Sequence, residues 1–465
     1  MKPWNKIVLV FSILVALIFS CQSKNKNSKN NNESKRPNII FLLTDDQRWD
    51  ALGAMGNTII STPHLDSLAH HGFLFKNAYV TTSICCVSRA SILSGQYESR
   101  HGINDFNTSF SKKAFLKTYP ALLKNEGYTV GFIGKYGVGA PYNQPKDFFD
   151  YWACTNKHQP DYDNVTRKGN YIHYTDIVGN DINSFLNSIN TKKPFCLSVS
   201  FKAPHVQDND PRQFIPKKEY SDLYKTDSIS LPETVKEKYW DAFPAFFKTN
   251  KNIGRIRWKK RFNSYSAFKK SVKNYYRLIT GVDDVIGNLL SELKAKQIDK
   301  NTVIILLGDN GMFLGEHGLA GKWYGYEESI RVPLIIYDPR ISQRGKVINK
   351  IALNIDIAPT ILGLANMPIP DSIQGVNLME YIKKDQGRPD FFYEHTFLHS
   401  PAIPNSEGVV SENFKYLNYI EHNYEELFDL KKDPNETTNL VNDPQYRDTL
   451  LLERKRYSAL KEQVK

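Results

Sequence analysis

Three segments of the chain are continuously apolar, and each stops at a polar cluster. Ile39-Ile40-Phe41-Leu42-Leu43 runs into Thr44-Asp45-Asp46. Phe195-Cys196-Leu197-Ser198-Val199-Ser200-Phe201 runs into Lys202-Ala203-Pro204-His205, and Val303-Ile304-Ile305-Leu306-Leu307 into Gly308-Asp309-Asn310-Gly311. Apolar runs without polar alternation read as strands covered on both faces, as in a largely parallel sheet. A helix is predicted over 271–296, where Leu278, Val282, Val285, Ile286, Leu289 and Leu293 form one stripe. Ligands of open α/β sheets bind beyond the carboxyl ends of the strands, so the three polar endings are expected to share one rim. The fold class is therefore α/β. An α/β/α domain is expected from about 37 to 375. A smaller α+β part, with a short antiparallel sheet and a C-terminal helix, is expected from 376 to 465.

Ahead of this body the pattern changes. Lys2 and Lys6 precede an apolar run over 7–19 that closes on Ser20-Cys21. The run is shorter than a bilayer span and has the layout of an export signal. A small residue before cysteine is similar to a bacterial lipobox, which would make Cys21 a lipidated N-terminus in the periplasm or outer membrane. A plainly cleaved signal is the second reading and a transmembrane anchor the third. Residues 22–36 contain no apolar side chain and read as a disordered tether.

Charge sharpens the picture. The net charge is +12, but residues 1–36 hold seven basic residues and one acid, and residues 248–277 hold eleven basic residues and no acid. The rest of the body is net negative. Such local basicity, with Trp258, Phe262, Tyr265, Tyr275 and Tyr276 in or beside it, fits an anionic partner; a solvated helix face is the plainer alternative. The export leader argues against nucleic acid and limits membrane contact to a lipid anchor. The five cysteines show no spacing of a disulfide framework or zinc site, so free buried thiols are expected.

Asp45, Asp46, Asp309 and Asn310 would meet on the predicted rim. Oxygen ligands without nearby Cys or paired His suit a hard cation such as calcium or magnesium. Crowded carboxylates are costly unless a cation neutralises them. The alternative is that these are ordinary turn and cap residues.

Cys85-Cys86-Val87-Ser88-Arg89, followed by Ala90-Ser91-Ile92-Leu93-Ser94-Gly95, resembles the signature of type I sulfatases of the alkaline phosphatase superfamily, Cys-x-Pro-x-Arg before a helix. Val87 stands where that family usually has Pro, Ala or Ser. Other segments match in order: Asp45-Asp46, Gly134-Lys135, Pro204-His205, Asp309-Asn310-Gly311, Lys322 in Gly315-Glu316-His317-Gly318-Leu319-Ala320-Gly321-Lys322-Trp323, and Glu426-Leu427-Phe428-Asp429-Leu430.

The resemblance implies an alkaline phosphatase-like fold. It implies oxidation of Cys85 to formylglycine by a formylglycine-generating or sulfatase-maturing enzyme. It also implies a calcium held by Asp45, Asp46, Asp309, Asn310 and residue 85. The hydrated aldehyde would attack sulfur, with Arg89, Lys135 and Lys322 neutralising charge, Asp309 accepting a proton and His205 protonating the leaving oxygen. The family places an aromatic residue and then histidine after the lysine at 135, whereas here Tyr136-Gly137 follows. His101 and His317 are candidates to replace that histidine, and His395 for a sugar subsite.

The implied substrate is a sulfated oligosaccharide or polysaccharide, with algal material such as ulvan preferred on resemblance. Two rivals stand beside it: a phosphodiester or phosphonate monoester hydrolase of the same superfamily, and a non-catalytic lipoprotein that binds sulfated glycan.

Overall fold

The three apolar runs become neighbouring strands. A computed structural model describes residues 36–342, 345–397 and 399–465; the expected leader, Cys21 and the tether up to residue 35 lie outside the described residues. Asn38–Asp45 is parallel to both Phe195–Pro204 and Thr302–Gly308, with Ile39 opposite Cys196 on one side and Val303 on the other. All three are buried throughout. They centre an eight-stranded sheet whose spatial order is Lys346–Ile348, Phe73–Phe75, Leu334–Tyr337, Thr302–Gly308, Asn38–Asp45, Phe195–Pro204, Thr129–Gly134 and Tyr151–Cys154. Only Leu334–Tyr337 runs against its neighbours.

Alternate residues of each strand enter opposite cores, which is why the runs had to be apolar throughout. Ile40, Leu42, Val199 and Leu306 pack with Ile182 and Phe185 of Tyr174–Ser188 and with Leu278, Val282 and Ile286 of Tyr265–Ala295. Phe41, Leu43 and Ile305 pack with Val87 and Ala90 of Cys85–Ser94 and with Ile361 of Ile357–Leu364. The protein is thus an α/β/α sandwich. The long helix begins earlier than 271 because the Ser264 side chain accepts the Ala267 N–H, a cap ahead of the apolar stripe.

The C-terminal part carries an antiparallel sheet, Asp390–His395, Ser406–Ser411, Phe414–Tyr419 and Tyr424–Asp429 in that order. Helix Arg447–Val464 covers one face through Leu450, against Val409, Tyr416 and Leu427. Phe391, Val410, Leu417 and Phe428 join the main core, and Pro37–Lys465 forms one compact unit. Cys85, Cys86 and Cys196 are buried free thiols and Cys154 is half-buried and free. Among the described residues no helix is long and apolar enough to cross a membrane.

Candidate active site

The strand endings converge as the pattern required. Asp45 closes its strand and Asp46 follows at φ 64°, a left-handed turn that reverses the chain. The Asp46 N–H donates to Asp309 Oδ1 at 3.1 Å, and the Asn310 amide donates to Asp46 Oδ1 at 2.6 Å. Asp45, Asp309 and Asn310 are fully buried. Cys85 is the first residue of its helix and Arg89 lies one turn on. Residue 85 therefore sits at a helix N-terminus, a favourable place for an anion.

Basic groups enclose these carboxylates. Arg89 Nε donates to Asp309 Oδ2 at 2.8 Å, and its Nη1 donates to the Lys135 carbonyl and to Ser200 Oγ. Lys135 Nζ pairs with Asp45 Oδ2, and Lys322 Nζ with Asp46 Oδ1 at 2.5 Å. His205 Nε2 lies 3.5 Å from Asp46 Oδ2. Its Nδ1 bonds the Val206 carbonyl at 2.7 Å, which puts the proton on Nδ1 and leaves Nε2 as acceptor towards the site.

The electrostatics divide the carboxylates. Burial pushes Asp45 upward, but Lys135, His205, Arg89 and Lys322 outweigh it and hold the group well below the usual range. Burial and the Asp45 charge instead raise Asp309 to about 6, against Arg89. Burial lowers His205 to about 4, so its imidazole is neutral at ambient pH.

The donor set fits a hard cation. Carboxylate oxygens of Asp45 and Asp309 lie within 4.8 Å of each other and of Cys85 Sγ, and Asp45, Asp46 and His205 form a second such group. Asp45 Oδ1 and Asn310 Oδ1 are buried without a hydrogen-bond partner. Orphaned buried oxygens are expensive, and a calcium-sized ion coordinated by oxygens would satisfy them.

Several expected residues bond elsewhere. His101 Nε2 bonds Ser91 Oγ and its Nδ1 accepts the Ile103 N–H, so it braces its own loop. His317 is buried among the rings of Tyr239, Phe243, Phe313 and Tyr326. Neither bonds the carboxylate cluster. His395 is fully buried, with both ring nitrogens unpartnered.

Gly137 explains its departure in backbone terms. Its φ is +74°, and a Cβ there would lie 2.8 Å from Arg89 Cδ. A histidine at this position would collide with the arginine fork in a strained backbone.

The basic stretch is less exposed than its composition suggested. Arg261, Phe262 and Tyr275 are buried, and Tyr275 Oη donates to the Asp46 carbonyl at 2.7 Å and receives the Arg48 N–H. Tyr275 therefore fixes the Asp46 turn instead of facing a ligand. Gln159, whose amide meets His205 Nε2 at 3.3 Å, carried no signal because it lies in a loop without pattern.

The chain resembles known proteins in sequence and fold. The family described as Sulfatase matches residues 37–367, and the family described as N-sulphoglucosamine sulphohydrolase, C-terminal, matches residues 315–463. The chain is 31% identical to an arylsulfatase of Clostridium perfringens, covering 89% of this chain and 92% of that one. It is 27% identical to an N-acetylglucosamine-6-O-sulfatase of Bacteroides thetaiotaomicron, over 95% of this chain and 88% of the other. An ulvan-active sulfatase of Formosa agariphila is 29% identical, over 95% and 83%. A solved structure of a protein with its substrate D-glucosamine-2-N,6-O-disulfate superposes with a TM-score of 0.80 at 25% identity, covering 92% of this chain and 98% of that one.

Proposed function

The chain belongs to the sulfatase family of the alkaline phosphatase superfamily, sulfuric ester hydrolases, and on that premise we propose that it removes sulfate from a glycan using an oxidised Cys85 and a bound calcium. The observation that carries this reading is the meeting of Asp45, Asp46, Asp309 and Asn310 with Cys85 and Arg89 on one rim, with two buried oxygens left over.

Formylglycine at 85 would supply a hydrated aldehyde nucleophile whose sulfate ester can be shed by re-forming the carbonyl. Calcium held by Asp45, Asp46, Asp309 and Asn310 would supply positive charge on the sulfate oxygens. The rest is done by side chains of the chain. Arg89, Lys135 and Lys322 surround the site of the anion, and their fixed charges act without solvent reorganisation. Asp309, raised to about 6, suits acceptance of a proton from the side chain at 85. His205 Nε2 faces the leaving sugar oxygen as an acceptor and can serve as the general acid only after taking up a proton, with the Lys322 ammonium beside it as the group that already carries one. Gln159 orients that imidazole.

The catalytic part is assigned to 37–375 and the C-terminal part to 376–465; His395 of the latter, fully buried, does not line a sugar subsite. Ulvan oligosaccharides and 6-sulfated glucosamines are the substrates supported by the relatives. Export with lipidation at Cys21 completes the reading and is checked by membrane fractionation of Cys21→Ser.

Intact-mass analysis of the peptide spanning Cys85, from a host able to modify it, tests the function directly. Conversion of the thiol to the aldehyde together with turnover of a sulfate ester supports the proposal. A persistent thiol with tight glycan binding supports the non-catalytic alternative, and faster hydrolysis of matched phosphate esters supports the phosphohydrolase.

A further inference from the structure

The helix Ile253–Arg261 carries three arginines whose surroundings differ. Arg255 is held between the rings of Trp240 and Trp258, at 4.5 and 4.1 Å, and donates to the Gly318 carbonyl and to Glu237. Its charge and stacking surface are used. Arg261 is 1% exposed, and its Nη2 donates to Asp208 Oδ1 at 2.8 Å and its Nε to Gln213. Arg257, one turn before Arg261, reaches the same Asp208 with one long contact of 3.3 Å and keeps 24% of its side chain exposed.

Asp208 is therefore one carboxylate facing two guanidiniums, and the shorter bond goes to Arg261. Arg257 keeps charge and N–H donors for another acceptor. Its guanidinium is also fixed in place, because it lies 4.8 Å over the ring of Trp323. Trp323 follows Lys322 directly and has φ 88°. Its N–H donates to the Ser83 carbonyl, two residues before Cys85. Its ring folds back over Gly321, where a Cβ would lie 2.8 Å from Trp323 and 3.6 Å from Arg257 Nη1. Asp208 itself lies three residues after His205. Arg257 thus stands at the edge of the site between the residue next to Lys322 and the loop after His205.

We infer that Arg257 is a specificity-determining residue that binds a second oxyanion, a carboxylate or a further sulfate, on the saccharide whose sulfate ester is cleaved. The inference rests on the sulfatase reading above. A planar fork pre-stacked on an aromatic face suits bidentate recognition of either oxyanion.

The test compares substrates that share the cleaved ester and differ in one charge. One pair is glucosamine 2-N,6-O-disulfate against N-acetylglucosamine 6-sulfate. The other is a sulfated disaccharide bearing a uronate against the same disaccharide with that carboxyl reduced to an alcohol. In the wild type kcat/KM should favour the doubly charged member of at least one pair by about tenfold or more, the scale of one charge-assisted hydrogen bond. Which pair shows the preference identifies the oxyanion. Arg257→Ala should bring that ratio close to one, mainly through KM, and Arg257→Lys should restore part of it. If Arg257→Ala does not fold, Arg257→Gln gives the same readout. Aryl sulfate turnover by the wild type without any preference in either pair overturns the inference and leaves the sulfatase reading standing. So does a preference that survives Arg257→Ala or Arg257→Gln. Loss of all sulfatase activity in the matured wild type sinks the underlying reading instead.

Discussion

Among the buried carboxylates of the described residues, two sets are stabilised in opposite ways. At the rim, Lys135, Arg89 and Lys322 hold Asp45 charged, and Asp46 pairs with Lys322. Where helix Glu98–His101 meets the C-terminal sheet, Glu98 accepts from Thr82 and Thr396, and Glu394 from the Ser99 N–H and hydroxyl. Burial raises Glu98 to about 7, and burial with the Glu98 charge raises Glu394 to about 8. The first set is compensated by cations; the second is held without them, and its groups keep protons to higher pH. Only the first offers negative oxygens and a positive field together, which is what binding a cation and an anionic ester requires. A buried acid cluster alone is therefore no sign of a metal site; the cations around it decide.

The sharpest break in this comparison comes from residue 85. Cys85→Ala and Cys85→Ser should abolish turnover, whereas Cys86→Ala, whose side chain lies in the apolar core, should keep most of it. A folded but inactive Cys86→Ala beside an active Cys85→Ala would reverse the assignment. Chelation should come next in size: activity is lost before the thermal transition moves appreciably, and added calcium restores it. Unfolding that coincides with the loss would make the ion structural.

Lys415 gives a third, structural contrast. It is fully buried and bridges Glu327 and Glu436, at 3.0 and 2.6 Å. Lys415→Met should cost about 3–5 kcal/mol in denaturant unfolding, because both carboxylates lose their counter-charge. A cost near zero would mean that the acids simply take up protons there too.

Glu394 tests the proton-keeping set. Its folded value of about 8 lies above the ordinary 4.5. Its stabilising share is therefore complete below about 4.5 and is lost as pH climbs through about 8. Glu394→Gln should flatten that part of the Tm-versus-pH curve, and an unchanged slope would assign the decline to other groups. The smallest effect belongs to the basic surface. Reversing exposed Lys259 and Lys260, and sparing buried Arg261, should raise KM on a polymeric sulfated substrate a few-fold. The effect should fade with salt, because exposed charges are screened beyond roughly 10 Å at 0.1 M.

The strands and the rim they end on were legible because their causes are local. A strand covered on both faces must be apolar throughout, and its polar ending marks where it leaves the core, so Asp45, His205 and Asp309 could be read in order along the chain. The Cys85-to-Arg89 spacing is likewise a property of one helical turn. What the chain could not disclose were facts about neighbours distant in sequence. Gly137 is excluded from bearing a side chain by Arg89, 48 positions earlier. Tyr275 looked like a ligand-facing aromatic until the Asp46 turn closed on its hydroxyl. His101 and His317 carry the right chemistry, but Ser91 and a cage of rings engage them. Eleven basic residues in one stretch counted alike by composition, yet Trp323 and Asp208 separate Arg257 from Arg255 and Arg261. Residue type and spacing determine which groups are available and which elements carry them. Burial, charge compensation and hydrogen-bond partners depend on which elements pack together, and only the tertiary structure decides that.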